Sequence, residues 1–227
     1  MGNTTQIFSL SVGRKILMSI TGLFLCSFLV IHLVGNLSLF YSDGGQAFNE
    51  YTKFMSSNWF IRIMEIVLLA GFVLHIYMGY KLTRQNNAAR PIKYQVSKVN
   101  ETSSVYSRNM GITGTIILVF LIIHLKTFWY EYKFGAIGMD AWGNKDMYSA
   151  VVVVYQEWWF SLFYVLSMIL LGAHLNHGFQ SAFKSIGLSD KKYAPVISKI
   201  GTGFALLMTI GFSAFPILFY IGCVGNN

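Results

Sequence analysis

The residues best suited to chemistry in this sequence are five histidines, His32, His75, His124, His174 and His177. An imidazole can ligate a metal through a neutral nitrogen or move a proton near neutral pH. All five lie inside long apolar runs and none lies in a polar connection. A single histidine in a helix is most often a hydrogen-bonded structural residue. At least one on each of four successive apolar segments asks for a shared explanation, because polar groups in hydrocarbon need partners.

Counting residues from the nearest cation at about 1.5 Å each gives every histidine a depth. His32 lies 18 residues beyond Arg14 and His124 lies 16 beyond Arg108, which places both roughly 24 to 27 Å from that edge. His75 is 6 before Lys81 and His174 is 10 before Lys184, roughly 9 to 15 Å from the same edge. The histidines therefore sort into an outer pair and an inner pair, with His177 sharing a helix face with His174 and equally able to reach the inner partner. Two imidazoles from facing helices at one depth suit a six-coordinate haem iron, which carries electrons and leaves no position open to oxygen. Gly35, Gly71, Gly79 and Gly178 flank these histidines and serve either a cofactor edge or close helix packing. A di-iron bundle needs several carboxylates, and Glu65 is the one acid near an apolar run. A zinc centre needs three ligands at one depth, a pattern that is not present.

The elements that must hold these side chains follow from composition. The chain is 54% hydrophobic and 11% charged with a mean hydropathy of +0.52, far more apolar than a soluble domain. Five apolar windows predict five transmembrane helices, over about 14–40, 59–81, 108–130, 157–184 and 197–223, in one all-α integral membrane domain whose first four helices form the haem-binding bundle. The first window continues past Arg14 and Lys15 to Phe40, too long for a cleaved signal peptide, so it is expected to remain as a helix. Cys26 and Cys223 give no disulfide framework and are expected to be packing residues.

The net charge of +8 reads as topology and not as a nucleic-acid surface, because the cations fall between apolar runs. Arg14, Lys15, Lys81, Arg84, Arg90, Lys93, Lys98, Arg108, Lys184, Lys191, Lys192 and Lys199 would share one side, while Lys53, Arg62, Lys126, Lys133 and Lys145 would share the other. The positive-inside rule then puts the N-terminus in the cytoplasm and the C-terminus outside.

With the residues laid out this way, the chain resembles the cytochrome b subunit of succinate dehydrogenases and fumarate reductases, in the five-helix class with two haems on one polypeptide. The resemblance covers nearly the whole chain. It rests on Ser19, Thr21 and Gly22 ahead of Ile31-His32-Leu33, on His75 and His124, and on the run Gly172-Ala173-His174-Leu175-Asn176-His177-Gly178-Phe179-Gln180-Ser181 ending at Gly187. It implies that His32 and His124 ligate the iron of an outer haem b, and His75 and His174 that of an inner one, since the distance from His174 to Gly187 matches the family's ligand. It further implies that Ser19 hydrogen-bonds a propionate of the inner haem, with Arg14, Lys15 or Lys81 neutralising charge and His177 nearby. Part of the family carries a Glu two residues before the His174 position, and here that residue is Gly172.

The resemblance implies an anchor in the bacterial cytoplasmic (inner) membrane. There it would exchange electrons between a soluble iron-sulfur subunit, itself coupled to a flavoprotein subunit, and menaquinone, with no succinate chemistry in this chain. A quinone site near the outer haem would draw on Asn36, Arg62, Glu65 or Glu50, with Glu50 kept as the acid. The competing expectations are a haem b anchor of a hydrogenase or formate dehydrogenase, and a proton-coupled transporter. The long basic connection Lys81 to Arg108, including Arg84, Arg90 and Lys93, is expected to dock the soluble partner together with the Lys184 to Lys199 loop.

Overall fold

A computed structural model describes residues 11–88, 105–188 and 190–225. Arg90, Lys93 and Lys98, the cations expected to dock a partner, lie outside the described residues. The fold is 84% helical without strands among the described residues, and one isolated bridge pairs Met139 with Lys145.

Among the described residues eight α-helices follow in order: α1 Ser11–Asn36, α2 Gln46–Ser57, α3 Trp59–Ala88, α4 Val105–His124, α5 Glu131–Phe134, α6 Met147–Gln156, α7 Trp158–Ser185 and α8 Ala194–Tyr220. A 3₁₀ turn, Leu37–Phe40, extends α1, and a π-helical stretch, Leu125–Tyr130, joins α4 to α5. Five spans are long and apolar enough to cross a membrane: Val12–Phe40, Trp59–Asn86, Asn109–Phe134, Trp158–Ser185 and Ala194–Tyr220. The chain is thus a multi-pass membrane protein, because a helix is the form in which a single apolar segment satisfies its own backbone in lipid.

Helix ends are set locally. Asp43 accepts from the backbone of Gly45 and Ala47 at 3.0 and 2.9 Å, capping α2. Asn58 accepts from Phe60 N at 3.0 Å to start α3, and Asp146 accepts from Ser149 N at 3.1 Å to start α6. Past the end of α7, Gly187 takes a left-handed φ of 96°, and Leu188 N donates to Phe183 O at 3.0 Å.

The chain forms two compact units. One gathers the described residues within Met1–Ser27, Leu68–Thr115 and Leu171–Leu206; the other gathers those within Phe28–Val67, Ile116–Leu170 and Leu207–Asn227. In the first, Phe179 and Phe204 pack α7 on α8 with ring centroids 5.7 Å apart. Thr202 Oγ1 donates to Asn176 Oδ1 at 3.1 Å across the same pair. In the second, Gly211 of α8 meets Leu33 of α1 so closely that an added Cβ would stand 2.9 Å from Leu33 Cδ2. The core there is built from Phe160, Tyr164, Phe215 and Phe219, all buried.

The connections expected to be polar loops, 41–58 and 131–157, contain the helices α2, α5 and α6. Asn49 holds α2 to the chain before α6. It is fully buried, its Nδ2 donates to Asp140 and Asp146 at 3.1 Å each, and its Oδ1 accepts from Tyr148 N at 2.9 Å. Cys26 is half-buried, whereas Cys223 is exposed rather than packed.

For Asp146, desolvation raises the carboxyl pKa, but the hydrogen bonds from Ser149 and Asn49 outweigh it and hold the group below its ordinary 3.8. A depressed folded value stabilises above that ordinary value and is lost as pH falls through the folded one. The Asn49→Ala protein should therefore lose about 2 kcal/mol at neutral pH, having left Tyr148 N without its acceptor. Thermal unfolding in detergent should show that its deficit relative to the parent shrinks as both are taken below pH 4.

Candidate functional site

Each histidine pair lies within one unit. In the unit containing Phe28–Val67 and Ile116–Leu170, His32 of α1 and His124 of α4 face each other with ring centroids 5.8 Å apart and planes at 89°. In the other, His75 of α3 and His174 of α7 have centroids 6.4 Å apart at 69°. Two metal–nitrogen bonds of about 2 Å, with about 1.1 Å from each nitrogen to its ring centre, would set the centroids roughly 6.3 Å apart. Either pair thus has the spacing of two imidazoles on opposite sides of one metal ion.

The surroundings of the pairs differ. His32 stacks on Phe28 at 5.3 Å and lies 5.7 Å from Phe212. His124 stacks on Phe120 at 5.6 Å and meets Phe128 at 5.3 Å. Its Nδ1 is 3.3 Å from the Tyr164 hydroxyl. Asn36 Nδ2 donates to the His32 carbonyl at 2.6 Å and stands 3.4 Å from His32 Nδ1. The Tyr164 hydroxyl can accept from His124 Nδ1, as the second nitrogen of a ligating histidine commonly requires, whereas the group nearest His32 Nδ1 is an amide donor.

Around the other pair, Thr21 Oγ1 lies 3.3 Å from His75 Nδ1. That hydroxyl is buried and already donates to Leu17 O at 2.9 Å, so a lone pair remains to accept from the imidazole. His174 Nδ1 is buried without a hydrogen-bond partner, and so is Arg14 Nε in the same unit. A buried polar atom left unpaired costs about 1–3 kcal/mol. A bound group that brings an acceptor would satisfy Arg14 Nε, and one that exchanges a hydrogen bond would satisfy His174 Nδ1. Among the described residues no three His, Cys, Asp or Glu converge, so each pair offers a metal two protein nitrogens. A macrocycle with four in-plane nitrogens would fill the remaining positions of a six-coordinate iron.

Of the two roles open to the four flanking glycines, helix packing is taken by three. Gly71 packs against Phe24, Gly79 against Met18 and Gly35 against Tyr51, whereas Gly178 faces open space. The two glycines beside the imidazoles are Gly22 on α1, whose added Cβ would stand 3.3 Å from His75 Cε1, and Gly114 on α4, 3.6 Å from His174 Cε1. Gly114 was not singled out by sequence, because its neighbour is on another helix.

Other expected site residues are placed as follows. Ser19 is buried and gives its hydroxyl proton to Lys15 O at 2.9 Å. Lys15 is exposed, and Lys81 Nζ lies 5.7 Å from the Tyr77 ring centre. His177 is half-buried, and the ring that faces His75 is that of His174. Glu50 is exposed, and its Oε1 accepts from Gln46 at 2.9 Å. Glu65 is tied to Lys133 at 3.1 Å, to Arg62 at 3.9 Å and to the Trp129 indole. Sequence reasoning missed Tyr51, whose hydroxyl rests on Gly35, one turn from His32, and whose pKa burial pushes above the ordinary 10. It also missed the π-helical stretch directly after His124; such stretches recur at functional sites.

No family model, curated protein or solved structure matches the chain.

Gly35→Ala should drive a methyl into the Tyr51 hydroxyl and destabilise the protein by about 1–3 kcal/mol. Gly178→Ala, facing open space in mid-helix, should be neutral or stabilising by up to about 1 kcal/mol. Melting temperatures of the two variants, measured side by side in one detergent, check the division of the glycines.

Proposed function

We propose that this chain is the dihaem cytochrome b membrane anchor of a bacterial succinate:menaquinone oxidoreductase. The observation that carries the reading is the pairing of four histidines from four different spans into two facing couples, 5.8 and 6.4 Å between ring centroids. The sequence resemblance supplies the choice of complex. Bound haem b would supply one-electron exchange between a soluble iron-sulfur subunit and menaquinone.

The chain's own residues do the rest. His32 and His124 would hold the iron of one haem, and His75 and His174 that of the other. Thr21 and Tyr164 orient His75 and His124 through Nδ1. Gly22 and Gly114 keep space beside the imidazoles. Arg14, with a buried Nε awaiting an acceptor, is the best-placed residue to take a propionate. That role falls to it rather than to Ser19, whose proton is already given to Lys15 O. The aromatic ring of Phe28, Phe120, Phe128 and Phe212 would exclude water from the first pair.

The chain would lie in the cytoplasmic membrane with its N-terminus inside, supported by the twelve cations on that side against five on the other. A haem b anchor of a hydrogenase or formate dehydrogenase would use the same residues, and the subunits that co-purify separate the two.

A pyridine haemochrome assay on the purified chain should give two haems b per polypeptide. His174→Ala should lose one and His177→Ala should keep both. Absence of a b-type band in the reduced-minus-oxidised spectrum would overturn the reading, and loss of haem in the His177 variant alone would reassign the ligand.

A further inference from the structure

In the unit that holds His32 and His124, an open cleft of about 320 Å³ lies where α2, the first turn of α3, α5 and the chain before α6 come together. Four cations from these four segments line it: Lys53, Arg62, Lys133 and Lys145. One carboxylate answers them, since Glu65 pairs with Lys133 at 3.1 Å and with Arg62 at 3.9 Å. The other two are held by neutral oxygens. Lys53 Nζ donates to Asn144 Oδ1 at 2.8 Å, and Lys145 Nζ donates to Tyr132 O. Asp140 and Asp146, on the same stretch of chain, spend their oxygens on Asn49, Asn144, Trp142 N and Ser149 N. Asp140 and Asp146 stay charged, but they are not part of the lining: four cations and, among the described residues, no carboxylate line the cleft itself, a concave surface suited to an anion.

The position of the cleft says which anion. It lies at the ends of two spans, Trp59–Asn86 and Asn109–Phe134. Large apolar side chains beside the lining cations stand exposed: Trp59 at 73%, Phe134 at 67%, and Met139, itself in the lining, at 66%. A free phosphate would use the cations and have no need of those side chains. A phosphodiester attached to acyl chains uses both, because aromatic rings and cations at the end of a span are where headgroups sit. We infer that this cleft binds the phosphate of an anionic glycerophospholipid, gripped by Lys53, Arg62, Lys133 and Lys145 with its chains beside the exposed apolar residues. The site does not depend on the proposed electron-transfer function.

The test is native mass spectrometry of the full chain in a neutral maltoside detergent, titrated with phosphatidylglycerol, with phosphatidylcholine or with inorganic phosphate. Phosphatidylglycerol should bind saturably and phosphatidylcholine should not. Arg62→Gln, at a side chain 52% exposed, should weaken binding about fivefold, and Lys53→Gln with Lys145→Gln about twentyfold. Lys53→Arg with Lys145→Arg should restore it, and Lys191→Gln with Lys192→Gln should leave it unchanged. Equal binding of the two lipids, or full affinity in the Arg62 variant, overturns the inference. Displacement of phosphatidylglycerol by millimolar inorganic phosphate overturns it in favour of a free-phosphate site.

Discussion

Hydrocarbon offers no hydrogen bonds, and most of this structure follows from that one fact. Each peptide group left unpaired in a bilayer core costs several kcal/mol, so the apolar runs have to be helical. The same cost applies to imidazoles. A histidine in a span must find a partner within reach of its helix; four of the five face another histidine, and His32, His75 and His124 also have a polar or aromatic neighbour. Among the described residues, His174 Nδ1 and Arg14 Nε are buried without a partner, and each such atom carries the cost of an unmade hydrogen bond.

The same cost explains why the chemistry is built from so few residue types. Carboxylates are expensive in a span, and the two acids inside the described spans sit near span ends with cationic partners, Glu65 tied to Lys133 and the Trp129 indole and Glu131 to Lys126. Imidazole is neutral when deprotonated, so it can be carried into the apolar interior at modest cost and still ligate a metal. An electron carrier with histidine ligands suits a bilayer for that reason. A centre held by carboxylates would need several buried charges, each demanding its own counter-charge.

Much of this was legible in the sequence because it is local or periodic. Apolar runs of roughly 20 residues mark spans by length alone, and the five windows correspond to five long helices. The sorting into an outer and an inner pair was legible from depth, since a helix converts residue count into distance, whereas the choice of His174 over His177 came from the resemblance and not from depth. Contacts between distant segments were not legible. Helices α2 and α6 sit inside connections that read as polar loops, and α2 is fixed by Asn49 reaching Asp140 and Asp146, more than ninety positions away. The glycines show the same limit: their sequence positions left cofactor space and helix packing open, and the structure packs Gly35 and Gly71 against Tyr51 and Phe24, while Gly22 and Gly114 meet the imidazoles from other helices. Which face a glycine presents depends on helix rotation, and rotation is fixed by packing between helices.

The π-helical stretch after His124 connects these levels. A π-turn inserts one residue into the helical register, so every side chain beyond it is rotated relative to an unbroken α-helix. His124 ends the regular part of its span, and Leu125–Tyr130 carries the rotation. Beyond it, Trp129 and Lys133 reach Glu65, and Lys133 also lines the cationic cleft with Tyr132. One register shift thus separates two demands on a single helix. Before it, the helix must face His124 toward His32; after it, the helix must turn its polar end toward α2 and α3. A continuous α-helix would hold both faces in one fixed angular relation, so the turn lets the buried pair and the membrane-edge cluster be satisfied independently.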